Sequence, residues 1–176
     1  MTHMQQLKGD VFFIQETHLC NREVTRLKRP WIDQLFHSGF NQRARGTAIL
    51  ICKNIHFEPH KAVTDPTGHF VIVSGKLHDT QVILASIYGP NWDDSSFVTK
   101  LFTSFPNIDS YHIIVGGDFN FVQDPSLDRS SNKVQPLTKS AKTLDTFAKQ
   151  LGFSDPWRYK FPTNKLFSFF SHVHCT

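Results

Sequence analysis

The feature that most constrains this chain is a series of short apolar runs, each long enough for a strand and closed by turn chemistry. VFFIQ (11–15), TAILICK (47–53), FVIVSGKL (70–77), QVILASIYG (81–89) and HIIVGGDF (112–119) fit this description. The β-branched content and the brevity of the runs point to strands, several of them buried. DPTGH (65–69) lies between two of the runs and supplies a Pro/Gly turn or loop.

Helical periodicity is confined to two places. In DDSSFVTKLFTSF (93–105), Phe97, Leu101 and Phe105 recur at helical spacing behind an Asp/Ser cap. In TKSAKTLDTFAKQLGF (138–153), Leu144, Phe147, Ala148 and Leu151 share a face, and Gly152 is placed to end the helix. Strands interrupted by one or two helices predict an α/β or α+β sandwich. With 176 residues, 39% of them hydrophobic, and neither repeat nor linker, a single domain spanning 1–176 is the expectation.

Composition narrows the partners only slightly. The formal net charge of +4 and a pI near 9.0 are compatible with nucleic acid. Cys20, Cys52 and Cys175 are odd in number and widely spaced, which favours free thiols in a reducing compartment over a disulfide framework. The opening THMQQLKGD contains no apolar segment of a secretory signal, and no run of about 18 apolar residues is present to span a membrane. A soluble, intracellular protein is expected.

The chemistry-bearing residues stand at the ends of the runs. In IIVGGDFN, Asp118 and Asn120 lie two apart, and on an extended backbone such side chains point to the same face. Gly116 and Gly117 let the chain turn and approach closely. The competing reading is an ordinary turn, since Gly, Asp and Asn are loop residues. Glu16, in FFIQETHL, repeats the arrangement after a different run. Acids following two separate strands suit a hard cation such as magnesium, which takes oxygen ligands and keeps waters. SIYGPNW (86–92) adds Tyr88, either a phosphate-reaching hydroxyl or a buried tyrosine before a turn.

In order, QETHL, YGPN, GGDFN, LDR, DPWR and FSFFS run through almost the whole chain. This ordered set resembles the exonuclease–endonuclease–phosphatase superfamily, and most of all the endonuclease domain of LINE-type retrotransposons. The resemblance implies a two-sheet α/β sandwich of the pancreatic deoxyribonuclease type. It implies magnesium- or manganese-dependent hydrolysis of phosphodiesters, with DNA as substrate, and nicking that leaves a 3′ hydroxyl to prime reverse transcription.

By the same resemblance Glu16 binds the metal and Tyr88 stands near the scissile phosphate. Asp118 orients or deprotonates the attacking water, and Asn120 holds phosphate oxygens. Arg129 and Ser168 contact DNA, and Asp155 is a scaffold residue. The family also has an asparagine before the first strand, and an aspartate and a histidine after the SHVH position, none of which this sequence contains. The expectation is a fragment, truncated at both ends and impaired in cleavage. Its setting would be nuclear, as a monomer or as part of a polyprotein with a reverse transcriptase. An inactive relic and a phosphoesterase acting on small substrates are the alternatives. His172, His174 and Cys175 read as polar edge residues rather than a zinc site, and His37, His56, His60 and His78 as solvated. NREVTRLKRPW (21–31) reads as a basic loop, and Trp31, Trp92 and Trp157 as packing residues.

Overall fold

The computed structural model describes residue 4, residues 6–129 and residues 136–165. The chain divides into two compact units. One comprises Met1–Gly89 and Ser104–Phe119, the other Pro90–Thr103 and Asn120–Thr176.

The first unit is built on two sheets. β1 (Val11–Ile14), β2 (Ile32–Ser38) and β3 (Thr47–Cys52) form an antiparallel sheet in the order β1-β3-β2. β4 (Phe57–Thr64), β5 (Phe70–Leu77), β6 (Thr80–Tyr88) and β7 (His112–Asp118) form the other in sequence order. Its first three strands are antiparallel and β7 is parallel to β6. A parallel neighbour requires a crossover connection rather than a hairpin, and the segment between β6 and β7 contains the helix α1 (Ser95–Thr103).

Alternation along the strands explains how the sheets stack. Ile49 and Ile51 of β3 meet Val71, Val73, Val82 and Leu84 of β5 and β6 in one core, with Phe57 and the half-buried Val11, Phe13 and Phe36. Residues of opposite parity, Ala48 and Leu50, turn to the other face of the small sheet. There they join Leu19, Leu27, Ile32, Phe12, Ile14 and Trp31. Burying a branched aliphatic side chain stabilises by about 1.5–3 kcal/mol relative to leaving it exposed. The doubly covered β3, buried along its whole length, is therefore the centre of gravity of this sandwich.

Among the described residues the second unit holds α1 and three further helices, α2 (Pro125–Asp128), α3 (Lys139–Leu151) and α4 (Pro156–Lys160). Phe102 of α1 stacks on Phe147 of α3 with centroids 4.8 Å apart, and Phe153 closes on the same ring at 5.8 Å. The predicted stop of α3 is observed, with Gly152 in the left-handed conformation, and at its start the Thr138 side chain accepts from the Ala141 amide. Asp155 caps α4 by accepting from the Trp157 and Arg158 amides, as the scaffold reading of DPWR required.

Several expectations are corrected. β2 and β4 were not anticipated. The basic stretch 21–31 is no loop at its start, because Asn21–Leu27 forms a 3₁₀ helix that buries Leu27. β1 is only half-buried, and β7, read as buried, leaves Ile114 47% exposed. Phe105 lies beyond the end of α1, whose buried face is instead Phe97, Val98, Leu101 and Phe102. Trp31 packs as expected, whereas Trp92 and Trp157 are exposed. Ser168 and the His172–His174–Cys175 cluster lie outside the described residues. No helix among the described residues is long and apolar enough to cross a membrane.

Candidate active site

The site is assembled at one end of the first unit, where β1, β6 and β7 finish. Gln15 continues β1 and donates its amide to Ser86 Oγ at 3.1 Å, while that hydroxyl donates to the Ile14 carbonyl at 3.4 Å. These bonds tie the end of β1 to β6 of the opposite sheet. The backbone then enters the left-handed region at Glu16 and again at His18, both at φ 52°. Non-glycine residues adopt this conformation only where the surroundings over-determine it. The surroundings here are specific: the Thr17 and His18 amides donate to the Gly46 and Arg45 carbonyls, each at 3.0 Å. Gly46 itself sits at φ +99°, and a β-carbon on it would lie 2.2 Å from Thr17 Oγ1, so only glycine fits.

Tyr88 ends β6. It is buried, and its hydroxyl donates to Glu16 Oε1 at 2.5 Å. A residue that the sequence did not single out holds it there. The buried His69 accepts the Tyr88 amide proton on its carbonyl at 2.7 Å, and its Nδ1 lies 2.6 Å from the Tyr88 carbonyl oxygen. A carbonyl can only accept, so Nδ1 carries the proton. The two rings are stacked, with centroids 6.3 Å apart. Asp65, buried in the preceding turn, accepts from the His69 amide and from the Thr67 hydroxyl. DPTGH is therefore a support for the tyrosine as well as a turn. The sequence held no signal for this, because the burial of His69 depends on strands far away in the chain.

Asp118 ends β7 directly beside Tyr88 in the parallel register, with its side chain exposed. The Gly89 amide donates to the Asp118 carbonyl at 2.7 Å. Gly117, at φ +138°, allows the approach, since a β-carbon there would stand 2.0 Å from the Ile87 carbonyl oxygen. The structure thus joins Glu16 to Tyr88 by a side-chain hydrogen bond and Tyr88 to Asp118 by strand register.

Asn120 is another matter. β7 ends at Asp118, and Asn120 is in the left-handed region at φ 57° and opens the later segment of the second unit. The extended-backbone argument for its sharing a face with Asp118 does not hold, because the backbone is no longer extended there. In the second unit Arg129 is half-buried and terminates α2. Its neighbour Asp128 forms an ion pair with Arg158, which joins the LDR and DPWR stretches. Asp93 caps α3 from far along the chain, accepting from the Lys139 and Ser140 amides at 2.9 and 2.8 Å and from the Ser140 hydroxyl at 2.6 Å. These bonds hold its carboxyl below the usual aspartate value, the Ser140 hydroxyl most of all.

His37, expected to be solvated, is half-buried with Nε2 3.0 Å from Thr17 Oγ1. Its buried Nδ1 has no hydrogen-bond partner, which favours the tautomer with the proton on Nε2, donated to Thr17. Burial pushes its pKa down. Among the described residues, no group of three or more His, Cys, Asp or Glu side chains could hold a metal ion.

Two stacked sheets with helices, and acids at strand ends, define the class. This is the two-sheet α/β sandwich fold of the pancreatic deoxyribonuclease type. Within it the chain is similar to an AP endonuclease from Archaeoglobus fulgidus, with a TM-score of 0.68 and 19% identity, covering 97% of this chain and 71% of that one. It is also similar to a 3′-5′ exonuclease from Neisseria meningitidis, with a TM-score of 0.61 and 17% identity over 98% of this chain and 74% of that one. The endonuclease domain of TRAS1, a telomere-specific non-LTR retrotransposon, matches with a TM-score of 0.55 and 16% identity over 86% of this chain and 62% of that one.

In sequence, the chain is 23% identical over 174 residues to an uncharacterized 149 kDa protein of transposon TX1 from Xenopus laevis. That match covers 96% of this chain and 13% of the relative's length. No protein-family model matches.

Proposed function

We propose that this chain is the DNA-nicking endonuclease domain of a LINE-type retroelement, hydrolysing a phosphodiester with the help of a divalent cation. The observation that carries the reading is the hydrogen bond from Tyr88 to Glu16, which joins a carboxylate after one sheet to the end of the other in a nuclease fold. The retrotransposon endonuclease and transposon protein among its relatives support the choice of element and of DNA. Chromosomal DNA as the target implies work in the nucleus.

The donor set fits magnesium or manganese. Such ions are commonly held by one or two carboxylates plus waters and substrate phosphate, without an all-protein cage. Glu16 is exposed, and its carboxylate has about four lone-pair sites, of which Tyr88 engages one. When bound there, the cation supplies charge neutralisation at the phosphate.

The chain's own residues do the remainder. Tyr88 fixes the orientation of Glu16, and His69 fixes Tyr88. Asp118, exposed at the end of β7, accepts the proton of the attacking water, for which a base must stand within hydrogen-bond reach. Asn120 donates its amide to a phosphate oxygen as charge builds on it. Arg129 and Ser168 contact the DNA.

Supercoiled plasmid incubated with the chain and magnesium tests this. Conversion to the open circle that is lost in Glu16→Ala and in Asp118→Asn supports the reading. Plasmid left intact by the wild-type chain, together with phosphate released from a small ester, overturns it in favour of a phosphoesterase. Intact plasmid with no ester hydrolysis leaves an inactive relic.

A further inference from the structure

The β2–β3 connection, FNQRARG (40–46), contains two arginines and no acid. Hydrogen bonds tie it down at several points. Asn41 Oδ1 accepts from the Arg43 amide at 2.8 Å and from the Ala44 amide at 2.9 Å. The Gly46 amide donates to the Gly68 carbonyl at 3.1 Å, and the Arg45 carbonyl accepts from His18. The last of these bonds fastens the loop to the segment that carries Glu16.

On this frame stands a phenylalanine with little to cover it. Phe40 is 44% exposed, and the Arg45 guanidinium lies over its ring, 5.0 Å from the centroid. The base of Phe40 is packed closely, because a β-carbon on Gly68 would come within 3.0 Å of Phe40 Cβ. Arg45 takes a left-handed φ of 62° in presenting its side chain there. Arg43, in the same loop, is exposed. An aromatic ring and a planar guanidinium on a pinned loop are the surfaces on which unpaired bases stack, and a second arginine suits the adjoining phosphate.

We propose that Phe40 and Arg45 form a platform for an unpaired base of the DNA strand flanking the Glu16 site, with Arg43 at the phosphate. The proposal rests on the nuclease reading, and it adds a preference for DNA that is locally unpaired beside the nick.

The test is equilibrium binding of the full chain, with divalent metal chelated so that nothing is cut. The probes are a fully paired oligonucleotide duplex and the same duplex carrying a short unpaired stretch. Base–aromatic stacking predicts that Phe40→Ala weakens binding to the unpaired probe by about 5- to 100-fold while changing the paired probe less than about twofold. Phe40→Trp retains binding. Arg45→Lys keeps the charge and loses the plane, so it weakens the unpaired probe selectively without changing the salt dependence. Arg43→Ala lowers the slope of log affinity against log salt by about one.

Phe40→Ala could disturb the packing on Gly68, so Phe40→Trp and Arg45→Lys read the same surface with bulk retained, and thermal unfolding is followed for all variants. Equal loss on both probes, or no loss on either, overturns the platform. A wild-type chain that binds the unpaired probe through Phe40 but nicks nothing leaves the platform standing and removes the nuclease reading. Nicking that persists with an indifferent Phe40 does the reverse.

Discussion

On the proposed reading Glu16 works only when its carboxylate is aimed, and the Tyr88 hydroxyl donates to that carboxylate. Removing the hydroxyl in Tyr88→Phe deletes one hydrogen bond to a charged but exposed group, so stability should fall by about 1 kcal/mol or less. Nicking should fall much further, by about 10- to 100-fold, because orientation of a charged group enters the rate directly. Urea unfolding alongside plasmid nicking separates the two effects, and parallel losses in both would show that Tyr88 only packs. The two acids were legible in the sequence because each directly follows an apolar run. His69 was not, since nothing in DPTGH distinguishes a buried support from a surface turn.

His37 was misread for a similar reason, and its burial has a consequence for pH. Its folded pKa lies below the ordinary 6.5 because burial disfavours the charged ring. The unfolded chain therefore takes the proton first. Stability is fully present above about pH 6.5 and is lost as the pH falls through the folded value. Unfolding measured at pH 7.5 and at about pH 5 should show a larger drop for the wild-type chain than for His37→Gln, which has no proton to gain.

At the scale of elements, what could be read follows from which residues see only their neighbours. α3 announced itself through its apolar face and through Gly152, a local stop that needs no partner from elsewhere. Gly152→Ala should cost about 1 kcal/mol, the strain of a left-handed φ, since a β-carbon there meets nothing within 4 Å. Thermal unfolding measures it. Asp93, the remote cap of the same helix, could not be assigned from sequence, because it lies in the stretch that starts α1. Its pKa is depressed below 3.8, so the stability it lends is present above that value and lost as the pH falls through the folded one. Asp93→Asn should show a smaller loss of stability than wild type between about pH 5 and pH 2, read by chemical unfolding.

The unanticipated strands, β2 and β4, are both at sheet edges. β4 buries Phe57 and then leaves most of its length to solvent, with Pro59 beside a register shift. An edge strand carries only part of the apolar pattern by which strands are recognised, and proline is tolerated there. β7 shows the opposite error. Its Ile113–Val115 run suggested a buried strand, yet in the described sheet it pairs on one side only.

At the scale of the molecule, the candidate site is a property of the sandwich rather than of any one element. Glu16 follows a strand of the small sheet, while Tyr88 and Asp118 end strands of the large one. The apolar core that fixes one sheet against the other therefore also fixes the carboxylate against the hydroxyl. The sequence could supply both halves, and only the packing of Ile49 and Ile51 on Val71, Val73 and Leu84 could bring them together. This makes metal uptake a test of the whole assembly. A cation that binds the folded chain and not the unfolded one stabilises it by about 2.7 kcal/mol at a hundred times its dissociation constant. For a chain of this size that corresponds to a rise in Tm of about 5–11 °C. Magnesium or manganese should produce this rise in the wild-type chain, a smaller one in Tyr88→Phe, and none in Glu16→Gln. Sodium chloride at matched ionic strength serves as the control for screening. A rise of equal size in Glu16→Gln would place the cation elsewhere, and with it the chemistry assigned to the ends of β1 and β6.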